Sequence, residues 1–546
     1  MAPRTFDYDW IIVGSGFGGS VAALRLSEKG YKVAVIECGH RYADDEYAKS
    51  AWDVRRFLWA PALGMHGILR LTSFKDIFIA TGSAVGGGSA VYANTLYRAK
   101  PDFFQHPQWA SLGDWSAALQ PHYDTAERML GVQIVPFSSG AQELLQDVGE
   151  HFGVADSFAR TPVGVYFGEA GRTVPDPYFG GEGPERTGCL RCGACMVGCR
   201  HGAKNTLLKN YLWFAEKKGA TIFADREVTS IAPVGAEDGS HGYRVETKVP
   251  GAWFAKDRRT FTARGVVVAA GALGTNRLLI RCKTNGALPR LSDRLGELVR
   301  TNSESILAVT LPDDSRQPWH DVAISGSIHP RPDTHIEFCT YGQRGDGMSL
   351  LLAPLTGDGT RMTRPLMMLG SIVRHPLRFM RGRFPFGWSR RTLLILVMQT
   401  SDNAIAFRPR RGLFGGIGLR TEQDAAKPNP TFIAVANEAA EWLAERTGGI
   451  AQSGVLEAAA NIPTTAHILG GAPIGADASS GVVDAQLRAF GYQHFLICDG
   501  AAMPANPGVN PSLTIAALAE HAMSHVPRAA SSAGMDFEGE RVHLSA

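Results

Sequence analysis

Residues 9–37, DWIIVGSGFGGSVAALRLSEKGYKVAVIE, constrain this chain more tightly than any other stretch. An apolar run ends at Val13, a glycine turn follows, and an amphipathic segment leads to a second apolar run closed by an acid. That is the strand–turn–helix–strand unit of an open, doubly wound α/β domain. Gly14, Gly16 and Gly19 have G-x-G-x-x-G spacing, with Phe17 and Gly18 between them at the helix start. The first glycine allows a tight turn, the second lets backbone approach a pyrophosphate, and the third lets helix lie close to strand. Free N–H groups and the helix dipole near Phe17 favour the anion. Glu37 ends the second strand, where a carboxylate accepts hydrogen bonds from ribose hydroxyls and repels a 2′-phosphate, which argues against NADP. The stretch alone does not separate NAD from FAD.

Three further stretches repeat the theme of bare backbone beside a small-residue turn. In TGSAVGGGSAVYANTLYRAK, residues 81–100, Gly82 is followed by the consecutive Gly86, Gly87 and Gly88, and then by Asn94. A glycine run of this kind can lie flat against a planar ring and offer its amides to ring heteroatoms; it is also the composition of a flexible loop. In RGVVVAAGALGTNRLLIRC, residues 264–282, an apolar strand turns at Ala270 and Gly271 into a helix, as at the carboxyl end of a ligand-binding strand or in ordinary α/β packing. The nearby ADREVTSIAPV reads as a strand in which Val228 is placed to flank an adenine. Near the C-terminus, IPTTAHILGGAPIG precedes a strand FLICD that ends at Asp499 and Gly500, and a helix opens after Asn510 and Pro511. His467 and Asn510 are isolated polar residues in small, glycine-rich surroundings, where a lone histidine is more often a satisfied structural residue than a chemical one.

Composition excludes several classes. The chain has 546 residues, 45% hydrophobic and 20% charged, with a formal net charge of +3, too balanced to imply a nucleic-acid partner. Eight cysteines in this length do not make a disulfide scaffold. The apolar runs are far shorter than a membrane span, and no cleavable leader precedes the glycine motif, so an intracellular, cytoplasmic protein is expected. Four of the cysteines, Cys189, Cys192, Cys195 and Cys199, have C-x2-C-x2-C-x3-C spacing. This is the bacterial ferredoxin spacing without its following proline, and it suits an iron–sulfur cluster, zinc, short-range disulfides or a metal-free loop. A cluster would give electrons a route other than O2. Residues 361–391, RMTRPLMMLGSIVRHPLRFMRGRFPFGWSRR, combine many arginines and no acid with interleaved Leu, Met, Phe and Trp. Such a segment suits contact with an anionic membrane surface, or a lid that buries its apolar side. In either reading the chemistry of the segment fits an apolar alcohol better than a sugar. Residues 528–546 read as a loose tail.

Taken in order, the fingerprint with Glu37, the GGGS run before Tyr92 and Asn94, the AAGALGT turn, TAHILGG, and DGAAMPANPGVNPSLTIAALAE resemble the glucose–methanol–choline (GMC) flavoprotein oxidoreductases, and most closely the bacterial cholesterol-oxidase-like branch. The resemblance implies a Rossmann-type FAD-binding domain of the p-hydroxybenzoate-hydroxylase-like class, interleaved with a sheet-based α+β substrate domain. The FAD-binding part would comprise 1–110, 186–302 and 456–527, and the substrate part 111–185 and 303–455. It implies FAD, held non-covalently because GSAVGGGSAVYAN has no histidine to attach it. The first glycines and Glu37 would take the pyrophosphate and ribose, Val228 the adenine, and Gly82, Gly86–Gly88 and Asn94 the isoalloxazine and ribityl chain. Ala270, Gly271, Asp499 and Gly500 would meet the pyrophosphate or ribityl, and Asn510 and Pro511 the pyrimidine edge. His467 and Asn510 occupy the family's catalytic positions. The implied reaction is oxidation of the CH–OH group of a bulky apolar alcohol, with hydride passing to flavin N5 and O2 or another acceptor removing the electrons. A 3-hydroxysteroid leads; a long-chain or terpenoid alcohol is the alternative, and a non-redox lyase or isomerase or an FAD electron carrier are readings of another class. Other members of the branch place a glutamate over the substrate. Glu337, in THIEFCTYG, is the candidate here, although the match is poor and an acid on a strand face is ordinarily solvated.

Overall fold

The computed structural model describes residues 6–253, 257–412 and 416–530; residues 531–546, most of the expected loose tail, lie outside them. The opening motif forms β1 (Tyr8–Val13), α1 (Phe17–Glu28) and β2 (Val33–Ile36). Every residue of β2 is buried, as expected for a parallel strand covered on both faces. β1 pairs in parallel with β2, Trp10 opposite Val33 and Val13 opposite Ile36. β3 (Thr221–Phe223), β4 (Glu227–Pro233), β5 (Tyr243–Lys248) and β6 (Arg259–Val268) complete a sheet in the order β3-β2-β1-β6-β5-β4. The strand Phe495–Ile497 is the seventh, pairing in parallel with the end of β6, while the start of β6 pairs antiparallel with β5. α2 (Gly271–Thr284) leaves β6 through the small-residue turn, and helix Ser512–Ser524 packs on α1 and on helix Trp115–Leu130.

A second seven-stranded sheet is antiparallel throughout. It comprises β7 (Ser305–Thr310), β8 (Ile324–Arg331), β9 (Thr334–Cys339), β10 (Leu352–Pro354), β11 (Thr392–Gln399) and β12 (Ile450–Gly454) in the order β10-β12-β7-β11-β9-β8, with the short strand Ala159–Arg160 at its far edge. Side chains alternate across a strand, so each strand has two faces. Leu307, Val309, Ile336, Phe338, Leu393, Ile395 and Val397 pack on helices Gly140–His151 and Ala434–Thr447. The alternate residues Ile306, Cys339, Leu394, Leu396 and Met398 form a second apolar face, which meets the glycine-rich loop at Ala93 and the cysteine loop at Met196. The architecture is therefore the expected one: a mostly parallel α/β sheet beside an α+β sheet layer.

Residues 361–391 contain the helical hairpin α3 (Thr363–Arg374) and α4 (Pro376–Arg383). Met368, Ile372 and Phe379 are partly covered and Trp388 is buried, but most of its large apolar side chains are not folded down on the domain. Leu366, Leu369, Val373, Leu377, Met380 and Phe386 are exposed, which removes the buried-lid reading of this segment. Among the described residues, no helix is long and apolar enough to cross a membrane.

Candidate active site

The parallel strands β1, β2 and β6 end together, and a cavity of about 370 Å3 opens at their carboxyl ends. Gly14, Gly16, Glu37, Gly82, Gly87, Gly88, Val228, Ala270 and Gly271 line it. Backbone packing explains the glycines. Gly14 has φ +97°, and a Cβ there would sit 2.3 Å from the Ala269 carbonyl oxygen. A Cβ on Gly87 would lie 2.6 Å from the Gly16 Cα, so the glycine-rich loop rests directly on the first turn. Glu37 is buried and pinned: Ser15 donates to Oε2 from its N–H (2.9 Å) and Oγ (2.7 Å), and the Gly39 N–H donates to Oε1 (2.8 Å). Ser15 Oγ also accepts from the Gly86 N–H (2.9 Å), tying the two loops to one carboxylate.

Not every residue of the expected set lines this cavity. Gly18 packs on the chain before Asp499, where a Cβ would come within 1.5 Å of the Cys498 carbonyl oxygen. Phe17 is buried edge-on to Tyr92, ring centroids 5.6 Å apart. Asp499 is buried, accepts from Thr275 Oγ1 (2.5 Å) and the Ala501 N–H (2.8 Å), and has its pKa pushed by burial up to about 6. Gly500 opens the short 3-10 turn Gly500–Ala502 beside it, and Pro511 precedes the first residue of helix Ser512–Ser524. Four arginines that were not legible as site residues, Arg70, Arg226, Arg277 and Arg281, also line the cavity; for the last two, the i, i+4 spacing on α2 was the available signal.

Asn94 tests whether these residues fit a flavin. It is fully buried, has φ 72°, and neither end of its side-chain amide has a protein partner. An unpaired buried amide end costs about 1–3 kcal/mol unless something else satisfies it. Heteroatoms of a planar ring on the glycine loop would do so, and the residues present fit the group.

His467 follows strand Thr464–Thr465, which pairs in parallel with the start of strand Phe78–Gly82, the strand that leads into the glycine-rich loop. Its Nδ1 contacts Oε1 of Glu304, whose Oε2 accepts from the Ala466 N–H (2.7 Å). Glu304 is buried. A carboxylate only accepts, so Nδ1 carries the proton and Nε2 is left with its lone pair. Burial alone would lower the imidazole pKa. Glu304 in contact and Glu337 nearby outweigh it, and the pKa is raised above the ordinary 6.5.

The turn that aims Glu304 is unusual. Asn302 (φ 56°) and Ser303 (φ 46°) are consecutive left-handed residues, a backbone cost that tends to concentrate at functional sites. Asn302 also clamps the loop before Asn510: its N–H donates to Asn506 Oδ1 (2.9 Å), its Nδ2 donates to the Val509 carbonyl (3.0 Å), and its Oδ1 accepts from the Gly508 N–H (3.2 Å). Asn510, with its amide in the orientation that satisfies both ends, donates to Glu337 Oε1 (3.1 Å) and Oε2 (3.3 Å) and accepts from Thr95 Oγ1 (3.2 Å). Glu337 is completely buried, and His335 Nε2 lies 3.2 Å from its Oε1. The expectation of a solvated strand-face acid is corrected: both faces of this sheet are covered.

The four cysteines Cys189, Cys192, Cys195 and Cys199 line one small cavity together with Lys204 and Asp321. All eight cysteines of the chain are free thiols. Among the described residues, no group of three or more His, Cys, Asp or Glu side chains is arranged to hold a metal ion. Burial raises the Cys189 and Cys192 thiols and pushes Cys195 up to about 12. Buried Lys204 gives the loop a structural place, donating to the carbonyls of Ala90 (3.0 Å), Tyr92 (2.8 Å) and Cys195 (3.0 Å) and so joining it to the glycine-rich loop.

Family comparisons agree with this geometry. A GMC oxidoreductase model matches residues 184–289 and a second one 422–519, and an NAD(P)-binding Rossmann-like model matches 12–43. A cholesterol oxidase of Mycobacterium tuberculosis (strain CDC 1551 / Oshkosh) is 48% identical, covering 95% of this chain and 91% of the relative. One from Acinetobacter baumannii is 43% identical over 96% of each. Among solved structures, pyridoxine 4-oxidase from Mesorbium loti superposes with a TM-score of 0.59 at 16% identity, over 94% of this chain and 98% of that one, a likeness of fold. Similarity of this degree over almost the whole length, together with the matching family segments, makes the chain a member of the GMC oxidoreductase family, FAD-dependent enzymes that act on CH–OH donors.

Proposed function

We propose that the protein oxidises the hydroxyl-bearing carbon of a bulky apolar alcohol, a 3-hydroxysteroid, with non-covalently held FAD and with O2 as acceptor. One observation carries the reading: the Asn510–Glu337 pair, with His335 beside it, is set into a sheet face whose neighbouring side chains Ile306, Leu394, Leu396 and Met398 are apolar, and Glu337 also acts electrostatically on the His467 of the His467–Glu304 pair. A sugar would bring many hydroxyls to that face and leave them without partners, at a cost of about 1–3 kcal/mol each. A steroid brings one hydroxyl and a large hydrocarbon body. The two relatives above are cholesterol oxidases by name, which supports the same substrate class.

In this reading the segments 1–110, 186–302 and 456–527 hold the cofactor, and 111–185 with 303–455 cover it. Gly14, Gly16 and Glu37 serve the pyrophosphate and ribose, with Arg277 and Arg281 supplying positive charge. Asn94 and the Gly86–Gly88 loop serve the ring. FAD, when bound, supplies the hydride acceptor. The protein's own residues do the rest. Glu304 holds the His467 ring and its tautomer, and Nε2 takes the hydroxyl proton as the C–H bond weakens. Asn510, oriented by Glu337 and Thr95, fixes the same oxygen. The exposed, arginine-rich hairpin brings the protein to an anionic membrane surface, where such alcohols dissolve.

A substrate panel tests this. A 3β-hydroxysteroid is expected to be turned over with one H2O2 formed per ketone, at a kcat/KM at least about a hundredfold above that for glucose or choline, the scale set when a site leaves polar groups unpaired. Comparable turnover of a sugar or choline would overturn the proposal.

A further inference from the structure

The hairpin has a hollow on its flank that the alcohol chemistry does not use. α3 is moored by Arg364, which is fully buried and donates to Glu457 Oε1 (2.8 Å), Asn461 Oδ1 (2.9 Å) and the Thr431 carbonyl (2.7 Å). α4 is held where Gln452 Nε2 donates to the Gly382 carbonyl (3.1 Å). Moored this way, the hairpin presents Val373 and Leu377 at 73% and 71% exposure, with Arg374, Arg378 and Arg381 also in solvent. No acid occurs anywhere from residue 359 to 401.

Beside α4 lies a cavity of about 730 Å3, within the ~300–1,000 Å3 range of small-molecule sites. Arg378, Arg381, Arg391 and Phe384 line it, and Glu445 is its one carboxylate. Arg391 is aimed by donating to the carbonyls of Leu311 (3.2 Å) and Pro312 (3.3 Å). Arg381 has no hydrogen-bond or ion-pair partner among the described residues. Three guanidinium groups against one carboxylate leave a cationic hollow. Planar, bidentate donors of this kind match a phosphate diester, and the neighbouring Leu377, Met380 and Phe386 have no protein to bury against.

Resting on the membrane reading above, we infer that this cavity takes the phosphate headgroup of an anionic phospholipid. Arg378, Arg381 and Arg391 meet the phosphate, and Leu377, Met380, Phe384 and Phe386 enter the acyl boundary. Binding one headgroup would fix the hairpin's angle to the bilayer as well as its attraction to it.

The test uses the full-length flavoprotein with two kinds of vesicle, phosphatidylcholine alone and phosphatidylcholine with phosphatidylglycerol, in co-sedimentation at 0.1 M salt. The protein is expected to bind both, the anionic vesicles at least about tenfold more tightly. The double variant Arg378→Gln, Arg381→Gln should lose that preference and keep its binding to the neutral vesicles. Val373→Ser with Leu377→Ser should weaken binding to both. FAD content and thermal midpoint check that each variant is folded. If the arginine variant keeps the anionic preference, the headgroup site is wrong while the membrane reading stands. If the unaltered protein binds neither vesicle, the membrane reading fails and this inference fails with it.

Discussion

Replacing Glu304 by glutamine is expected to lower kcat/KM by about 10²–10⁴-fold, the range for losing a positioned general base or the acid that orients it. Glutamine keeps the size of the side chain and removes its charge. The pH profile separates this role from a merely structural one. In the unaltered protein, burial lowers the His467 pKa but the carboxylates of Glu304 and Glu337 raise it by more. The neutral, proton-accepting imidazole therefore predominates only above a pKa higher than 6.5, and kcat/KM should fall as pH drops through that raised value. Without the Glu304 charge, desolvation is left to push the pKa down, and the acid limb should move to lower pH while the plateau falls. Stability carries the same sign. A raised folded-state histidine pKa contributes stability that is fully present below the unfolded value and is lost as pH rises through the folded one. The thermal gap between the unaltered protein and Glu304→Gln should thus be widest in mildly acidic buffer and shrink in alkaline buffer. A plateau that drops with no movement of the limb would remove Glu304 from the proton chemistry.

The second large effect distinguishes two glycines of one motif. Gly18→Ala should fail to fold or lose about 4–5 kcal/mol of stability, because its Cβ would occupy the space of the Cys498 carbonyl, backbone that cannot move aside without separating α1 from the strand Phe495–Ile497. Gly16→Ala meets nothing within 4 Å in the protein and has an ordinary φ of −68°. It should fold normally yet bind FAD at least about tenfold more weakly, since its methyl projects where a pyrophosphate must approach the backbone. Thermal melts of the apoprotein and FAD titration measure the two effects independently. A Gly16→Ala protein purified with a full complement of FAD would contradict the cradle.

The parts of this site legible in sequence are those fixed by local backbone demands. The glycine turn, the acid one strand later and the small-residue turn at Ala270 and Gly271 each announce themselves within about thirty residues, because strand period, helix period and left-handed φ leave few alternatives. Glu304 was not legible. It is 163 residues from His467, in TNSESIL, which reads as an ordinary polar turn; the pairing of Arg300 with Leu469, the bond from Thr465 Oγ1 to the Thr301 carbonyl and that from the Ala466 N–H to Glu304 bring the two together. Glu337 was legible as a strand residue but not as a buried one. Alternation gives two faces and cannot tell that both are covered. The cysteines show the converse: a C-x2-C-x2-C-x3-C spacing suits a cluster, zinc, disulfides or a metal-free loop, and spacing alone does not choose among them. The hairpin sits between these cases: its composition left a membrane-facing segment and a buried lid both open, and only the structure shows that many of its apolar side chains are exposed.

The most direct measurement is spectral. Purified, air-free protein is titrated with a 3β-hydroxysteroid while flavin absorbance near 450 nm is followed, the characteristic band of oxidised flavin in proteins of this chemistry. The account predicts a yellow protein bleached by one equivalent of steroid, recoloured by O2, and left unbleached when His467 is replaced by glutamine. A colourless protein that takes up no FAD, or bleaching at an undiminished rate in His467→Gln, would contradict it.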